Sequence, residues 1–179
     1  MLYAFAFDKV GVVVGDLYFQ DPRPGVEQEG PEQGVRLEVR FVDKAPLNGS
    51  IYSAQPIAVD RPIWRADLLE SIGSSGSFDR THHHPRFRGW EPVRRHFVEE
   101  LSADPVAWVG ARLADFPSLL DEAGVDAAEV PATDVQAVRA AVPEILDAVQ
   151  RLLDRVRAGE LGQPPADGVL DDSARVGWL

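Results

Sequence analysis

The 179-residue chain contains no cysteine. This absence excludes disulfide bonds, thiolate zinc sites, iron–sulfur clusters and a cysteine nucleophile. It also means that folding does not require an oxidising compartment. Function must therefore depend on other side chains.

Long apolar segments are also missing. No stretch approaches the roughly 20 apolar residues that a membrane-spanning helix needs. Asp8 interrupts the apolar N-terminal run early, so we predict neither a secretory signal peptide nor a membrane partner. These observations favour a cytoplasmic location.

Lysine is scarce, since only Lys9 and Lys44 occur. The formal net charge is −11, and an acidic surface repels nucleic acid and anionic lipid. We therefore expect no long nucleic acid partner. Arginine is common along the chain, together with Ala, Val and Gly, so arginines indicate function only where they cluster.

Residues 2–70 predict an antiparallel sheet of about five or six strands. In the clearest strand, Val35–Phe41, apolar side chains alternate with Arg36, Glu38 and Arg40. Strict alternation predicts one face buried in the core and one face in contact with solvent.

The last strand candidate, residues 62–70, could instead form a short helix. As a strand, it places Arg65 and Asp67 two positions apart on one face. The two side chains could form a salt bridge with each other. They could also reach the histidine-rich segment, which follows about twelve residues later. Both are candidate ligand-binding residues.

Residues 92–159 carry helical patterns, with Pro92 in a first helical turn. Asp104-Pro105 fits an N-cap followed by the first helical position. The Thr133-x-x-Gln136 spacing predicts a capping box for a long helix that is kinked or broken at Pro143. Strands followed by helices predict a single α+β domain over residues 1–162, with the helices packed on one face of the sheet.

The most informative stretch runs from Asp79 to His96. Residues 80–96 within it hold five arginines and all four histidines, against one acid, Glu91. Histidine can transfer a proton near neutral pH, and arginine binds phosphate bidentately, so the combination predicts hydrolysis of a phosphoester in a small anionic molecule or RNA. The candidate catalytic residues are His82, His84, Arg80 and Arg86, and the candidate ligand-binding residues here are Arg88 and Trp90.

The same stretch could hold a divalent metal ion. His82 and His84 point in the same direction in an extended chain, which makes them the better histidine pair. Asp79 is the candidate third ligand, with His96 or an Asp of the sheet as alternatives. The nearby arginines disfavour a divalent cation unless an anionic substrate accompanies it.

Two readings without catalysis remain open. The histidines and arginines of the segment could be structural, with Phe87 and Trp90 anchoring a long loop. The chain could also be an interaction protein with a protein partner. That reading uses the acidic surface, a Pro/Gly-rich loop at residues 21–34 that we predict to be mobile, and an apolar tail at residues 163–179 that could form a homo-oligomer.

Overall fold

A computed structural model describes residues 1–20 and 30–164. A five-stranded antiparallel sheet comes first and helices follow it, which confirms the predicted α+β fold. Neighbouring strands in the sheet are also neighbours in sequence. The strands are β1 Leu2–Ala6, β2 Val10–Phe19, β3 Glu32–Lys44, β4 Ile57–Ser71 and β5 His82–His84.

The strands are longer than the sequence pattern suggested. β2 continues through Gly15 and Asp16, and β4 runs through Pro62 without interruption. Proline cannot donate a backbone hydrogen bond, and the register between β3 and β4 shifts around Arg40, opposite Pro62. The fifth strand comes from residues 82–84, which we had predicted to be a loop.

The helices are α1 Glu99–Ala103, α2 Pro105–Ala114, α3 Phe116–Ala123 and α4 Ala132–Arg157. Asp104 caps α2 as predicted, because its side chain accepts a hydrogen bond from Ala107 N at 3.0 Å. None of the helices in the described part of the chain is long and apolar enough to cross a membrane.

The prediction that a helix begins at Pro92 is wrong. A short hairpin, β6 Phe87–Arg88 and β7 Glu91–Pro92, occupies this region instead. The backbone of His96 then pairs with that of His83 through hydrogen bonds of 3.0 and 2.9 Å. The strand pairing holds this segment extended until α1 begins at Glu99.

The start of α4 also differs from the prediction. No side chain caps this helix, so the capping box at Thr133 does not form. Asp134 instead accepts hydrogen bonds from the backbone N–H groups of the β1–β2 turn, at 2.6 Å from Lys9 and 3.1 Å from Val10. The helix continues past Pro143, so the predicted break is absent.

The core lies between one face of the sheet and helices α2, α3 and α4. Its central residues are the fully buried Val35, Leu37, Trp64, Leu68, Val109, Leu113, Phe116, Ile145 and Leu152. His83 also lies on this face, with its ring 6.1 Å from that of Trp64 and 5.0 Å from that of Trp108. Burial, aided by the charges of His96 and Arg112, lowers the pKa of His83 to about 4, so its ring is neutral at pH 7.

We predicted that the opposite face of the sheet would be in contact with solvent, but it is buried. Arg36, Glu38 and Arg40 are only 8%, 3% and 9% exposed. The β6–β7 hairpin lies against this face, with the Arg65 guanidinium 5.1 Å from the centre of the Phe87 ring. We call this surface the charged face; its members are Arg36, Glu38, Arg40, Arg65, Asp67, His82 and His84.

Most of the predicted mobile loop, and nearly all of the predicted apolar tail, lie outside the described residues. The interaction of the tail with a partner therefore stays a prediction.

Candidate functional site

Strand register brings the charged face together in two rows across β3, β4 and β5. Asp67 pairs with Arg36 on one side and with His82 on the other. Two residues away, Arg65 pairs with Glu38 and His84 in the same way. Because side chains two positions apart share a face, both rows point to the same side of the sheet.

His82 and His84 both direct Nε2 towards Asp67. Nε2 lies 3.4 Å from Asp67 Oδ2 for His82 and 3.6 Å for His84. The other ring nitrogen, Nδ1, lies 2.7 Å from the carbonyl oxygen of Arg80 and 2.5 Å from that of Val93, respectively. A carbonyl can only accept, so each Nδ1 carries a proton, and Nε2 is the ring nitrogen left to meet Asp67 or a ligand.

Asp67 is an ionised carboxylate within this cluster. Its Oδ1 accepts from Arg36 Nε at 2.6 Å and its Oδ2 accepts from Arg36 Nη2 at 3.2 Å. Burial alone would raise the pKa of Asp67, but the Arg36 charge and the contacts with His82 and His84 hold it well below its usual range. Asp67 thus pairs with Arg36, and it does not form the predicted salt bridge with Arg65.

Arg65 has donors that the protein does not use. Its Nε donates to Glu38 Oε1 at 2.7 Å, and its side chain is only 9% exposed. Within the described part of the chain, neither of its Nη groups donates a hydrogen bond. Burial and the neighbouring Arg36 charge lower the pKa of Arg65, so an anion beside both arginines would be favourable.

Among the described residues, two cavities open on the charged face. The first, about 160 Å³, is lined by Asp67, His82 and His84, and we call it the histidine cavity. The second, about 430 Å³, is lined by Trp90 and several apolar side chains, and we call it the tryptophan cavity. Arg36 and Arg65 line both cavities, so the arginine pair stands between them.

Asp79, the predicted third metal ligand, is elsewhere. It accepts hydrogen bonds from Ser71 N at 2.8 Å and Ser71 Oγ at 2.6 Å, and another from Ser77 Oγ. These hydrogen bonds outweigh the effect of burial and lower its pKa to about 2. Asp79 is therefore held by the turn after β4. The carboxylate that lies with the two histidines belongs to Asp67.

The predicted arginines do not converge on the histidines. Arg80 donates to Ser71 Oγ at 2.8 Å, and Arg86 donates to the carbonyl oxygen of Glu122 on α3 at 2.9 Å. Arg88 is exposed on the hairpin. None of these three lines either cavity, whereas Trp90 lines the tryptophan cavity.

Sequence reasoning missed Arg36 and Glu38, which complete the site. Their signal was the alternation of charges on two strands, Arg-x-Glu on β3 and Arg-x-Asp on β4. Opposite charges at alternate positions of adjacent strands can pair across the sheet. We interpreted the same alternation as a solvent-facing surface.

Comparison with family models, with curated proteins and with solved structures finds no match to this chain. The functional argument therefore rests on the geometry of the charged face.

Proposed function

We propose that the charged face binds a small phosphate-containing molecule and hydrolyses its phosphoester bond. The observation that carries the proposal is Arg65, which lines both cavities beside Arg36 and whose terminal amino groups donate no hydrogen bond to any described residue. A guanidinium presents paired donors that match the oxygens of phosphate. A bound phosphate would also offset the repulsion between Arg36 and Arg65.

The cavities indicate which part of the ligand each would take. The histidine cavity has room for little more than a phosphoryl group and a water molecule. The tryptophan cavity falls in the size range of small-molecule sites and has apolar walls that include Leu2, Val13 and Trp90. The best-fitting ligand is a phosphate ester of a small apolar or aromatic alcohol, with its phosphate on the arginine pair.

Hydrolysis would take place on the histidine side of the arginines. A water molecule held at Nε2 of His82 and His84 would lie next to a phosphate on Arg36 and Arg65. As its oxygen bonds to phosphorus, the water gives a proton to Nε2, the ester P–O bond breaks and the leaving oxygen takes a proton from solvent. Negative charge develops on the phosphoryl oxygens. Fixed guanidinium donors stabilise that charge without reorganisation, which is how such groups accelerate phosphoryl transfer.

The test of this function is phosphate binding by Arg65→Gln, with Arg88→Gln as the matched control on the exposed hairpin. Isothermal titration with inorganic phosphate and with phenyl phosphate should give binding by wild type and by the control. We expect Arg65→Gln to lose at least about tenfold in affinity, since a charged hydrogen bond contributes about 1.5–3 kcal/mol.

Release of phosphate from phenyl phosphate tests the catalytic part. It should fall in Arg65→Gln and stay at the wild-type level in Arg88→Gln. Equal binding and turnover by a folded Arg65→Gln variant would refute the proposed site.

A further inference from the structure

We infer that Asp67, His82 and His84 bind one divalent transition-metal ion, with Zn²⁺ the best match to two imidazoles and a carboxylate. The ion site is supported by the geometry of its ligands alone. Its part in catalysis rests on the proposed phosphoester hydrolysis.

The spacing of the donor atoms supports an ion between them. Ligands at about 2.0–2.1 Å from a tetrahedral zinc lie about 3.3–3.4 Å from one another. The two Nε2 atoms lie 3.4 and 3.6 Å from Asp67 Oδ2. A charge-assisted hydrogen bond would be about 2.7–2.9 Å, so these separations suit shared coordination better than direct contact.

The proton positions give the second argument. Because each Nδ1 donates to a backbone carbonyl, Nε2 is the ring nitrogen that His82 and His84 turn towards the Asp67 carboxylate. A cation, either a proton on Nε2 or a metal ion, makes this arrangement favourable. Hydrogen bonds at Nδ1 are also the usual means by which proteins orient metal-binding histidines.

Burial makes the site pre-organised. The side chains of Asp67, His82 and His84 are 1%, 2% and 8% exposed, and the backbone of β4 and β5 holds them in register. The remaining two histidines do not compete for this ion. The ring of His83 faces the core, and the ring of His96 lies 5.5 Å from the ring of His83.

The arginine pair bears on the occupancy of the site. Two guanidinium charges beside a divalent cation are unfavourable, whereas a phosphate between them is attracted to all three. Metal and phosphate should therefore bind cooperatively, each raising the affinity of the other by the same factor.

Three protein ligands leave a coordination position open for water, as in catalytic zinc sites. Zinc lowers the pKa of its bound water to about 7, which supplies hydroxide at neutral pH. The hydroxide oxygen forms a bond to phosphorus, the ester P–O bond breaks, and the leaving oxygen takes a proton from solvent. The products are inorganic phosphate and the alcohol, with no change in oxidation state.

The test is titration of the metal-stripped full chain with Zn²⁺ by calorimetry, followed by Co²⁺, whose visible spectrum reports coordination. We expect one ion per chain. His82→Gln and His84→Gln should each weaken binding by more than about 100-fold, beyond the 10–100-fold typical of partners outside the ligand set. His96→Gln and Asp79→Asn are the controls, and both should bind like wild type.

The competing outcomes are distinct. Absence of binding by the wild-type chain, or unchanged binding by folded His82→Gln and His84→Gln, overturns the metal site. An equal loss in Asp79→Asn would overturn the choice of Asp67. Phosphate release that persists in chelator would overturn the catalytic ion while leaving the proposed hydrolysis intact. Zinc binding without any phosphate binding would leave the ion site standing and remove the proposed function.

Discussion

Two aspartates illustrate how the surroundings of single residues decide their roles. Asp67 lies beneath the hairpin among arginine and histidine side chains, and its carboxylate is 1% exposed. Asp79 is much closer to the histidines in sequence, but the serines of a turn surround it. Only Asp67 is placed to act on a ligand, and Asp79 stabilises the turn.

Asp79→Asn should therefore lower stability in a pH-dependent manner. The folded pKa of about 2 lies below the ordinary value of 3.8, so the contribution of Asp79 is fully present above about pH 4 and is lost as the pH falls towards 2. We expect a loss of about 1 kcal/mol at pH 7, seen as a drop of roughly 2–4 °C in Tm. In thermal melts from pH 7 to pH 2, the Tm values of wild type and variant should converge as the pH falls. A difference in Tm that stays constant with pH would contradict this account.

Helix α4 and the β1–β2 hairpin are joined by a polar contact within the packed interface. Asp134 is 3% exposed and satisfies the backbone N–H groups of Lys9 and Val10, which no strand pairing serves. An ionised acceptor is well suited to this position because several donors converge on it. The polar contact between α4 and the β1–β2 hairpin thus depends on one side chain, Asp134, which precedes the apolar stripe of the helix.

Asp134→Ala should destabilise the protein by about 2–4 kcal/mol, because buried donors lose a charged acceptor. Thr133→Ala is the matched control, since Thr133 is exposed and does not cap the helix. Urea unfolding should separate the two variants clearly. A loss of about 1 kcal/mol in Thr133→Ala would instead indicate that the predicted capping box forms.

The charge distribution of the whole molecule bears on the kind of ligand. The net charge is −11, whereas Arg36 and Arg65 lie beneath a hairpin in small cavities. A small phosphate ester can enter such a cavity, but a long polyanion would meet the repulsion of the acidic surface. Selectivity for small phosphates follows from shape and charge together.

We expect no measurable binding of a labelled single-stranded RNA of about 20 nucleotides at about 0.15 M salt. Charges are screened beyond a Debye length of about 8 Å at this salt concentration, and the buried arginines cannot reach the RNA backbone. Fluorescence anisotropy, with phenyl phosphate as competitor, measures this. Micromolar RNA binding that phenyl phosphate displaces would favour RNA as the substrate.

Local patterns determined the features that depend on neighbouring residues: the order of strands and helices, the Asp104 cap and the pairing of His82 with His84 on one face. Side-chain alternation and helix capping act within a few residues, so they can be read along the chain. Only the tertiary structure decided that the hairpin covers the charged face. It also decided that Asp67, and not Asp79, meets the histidines. The position of Arg36 and Arg65 between two cavities depends on it as well. These features depend on strand register, which pairs Arg36 with Asp67 across 31 positions, and on a hairpin that folds over the strands. No local pattern specifies either one.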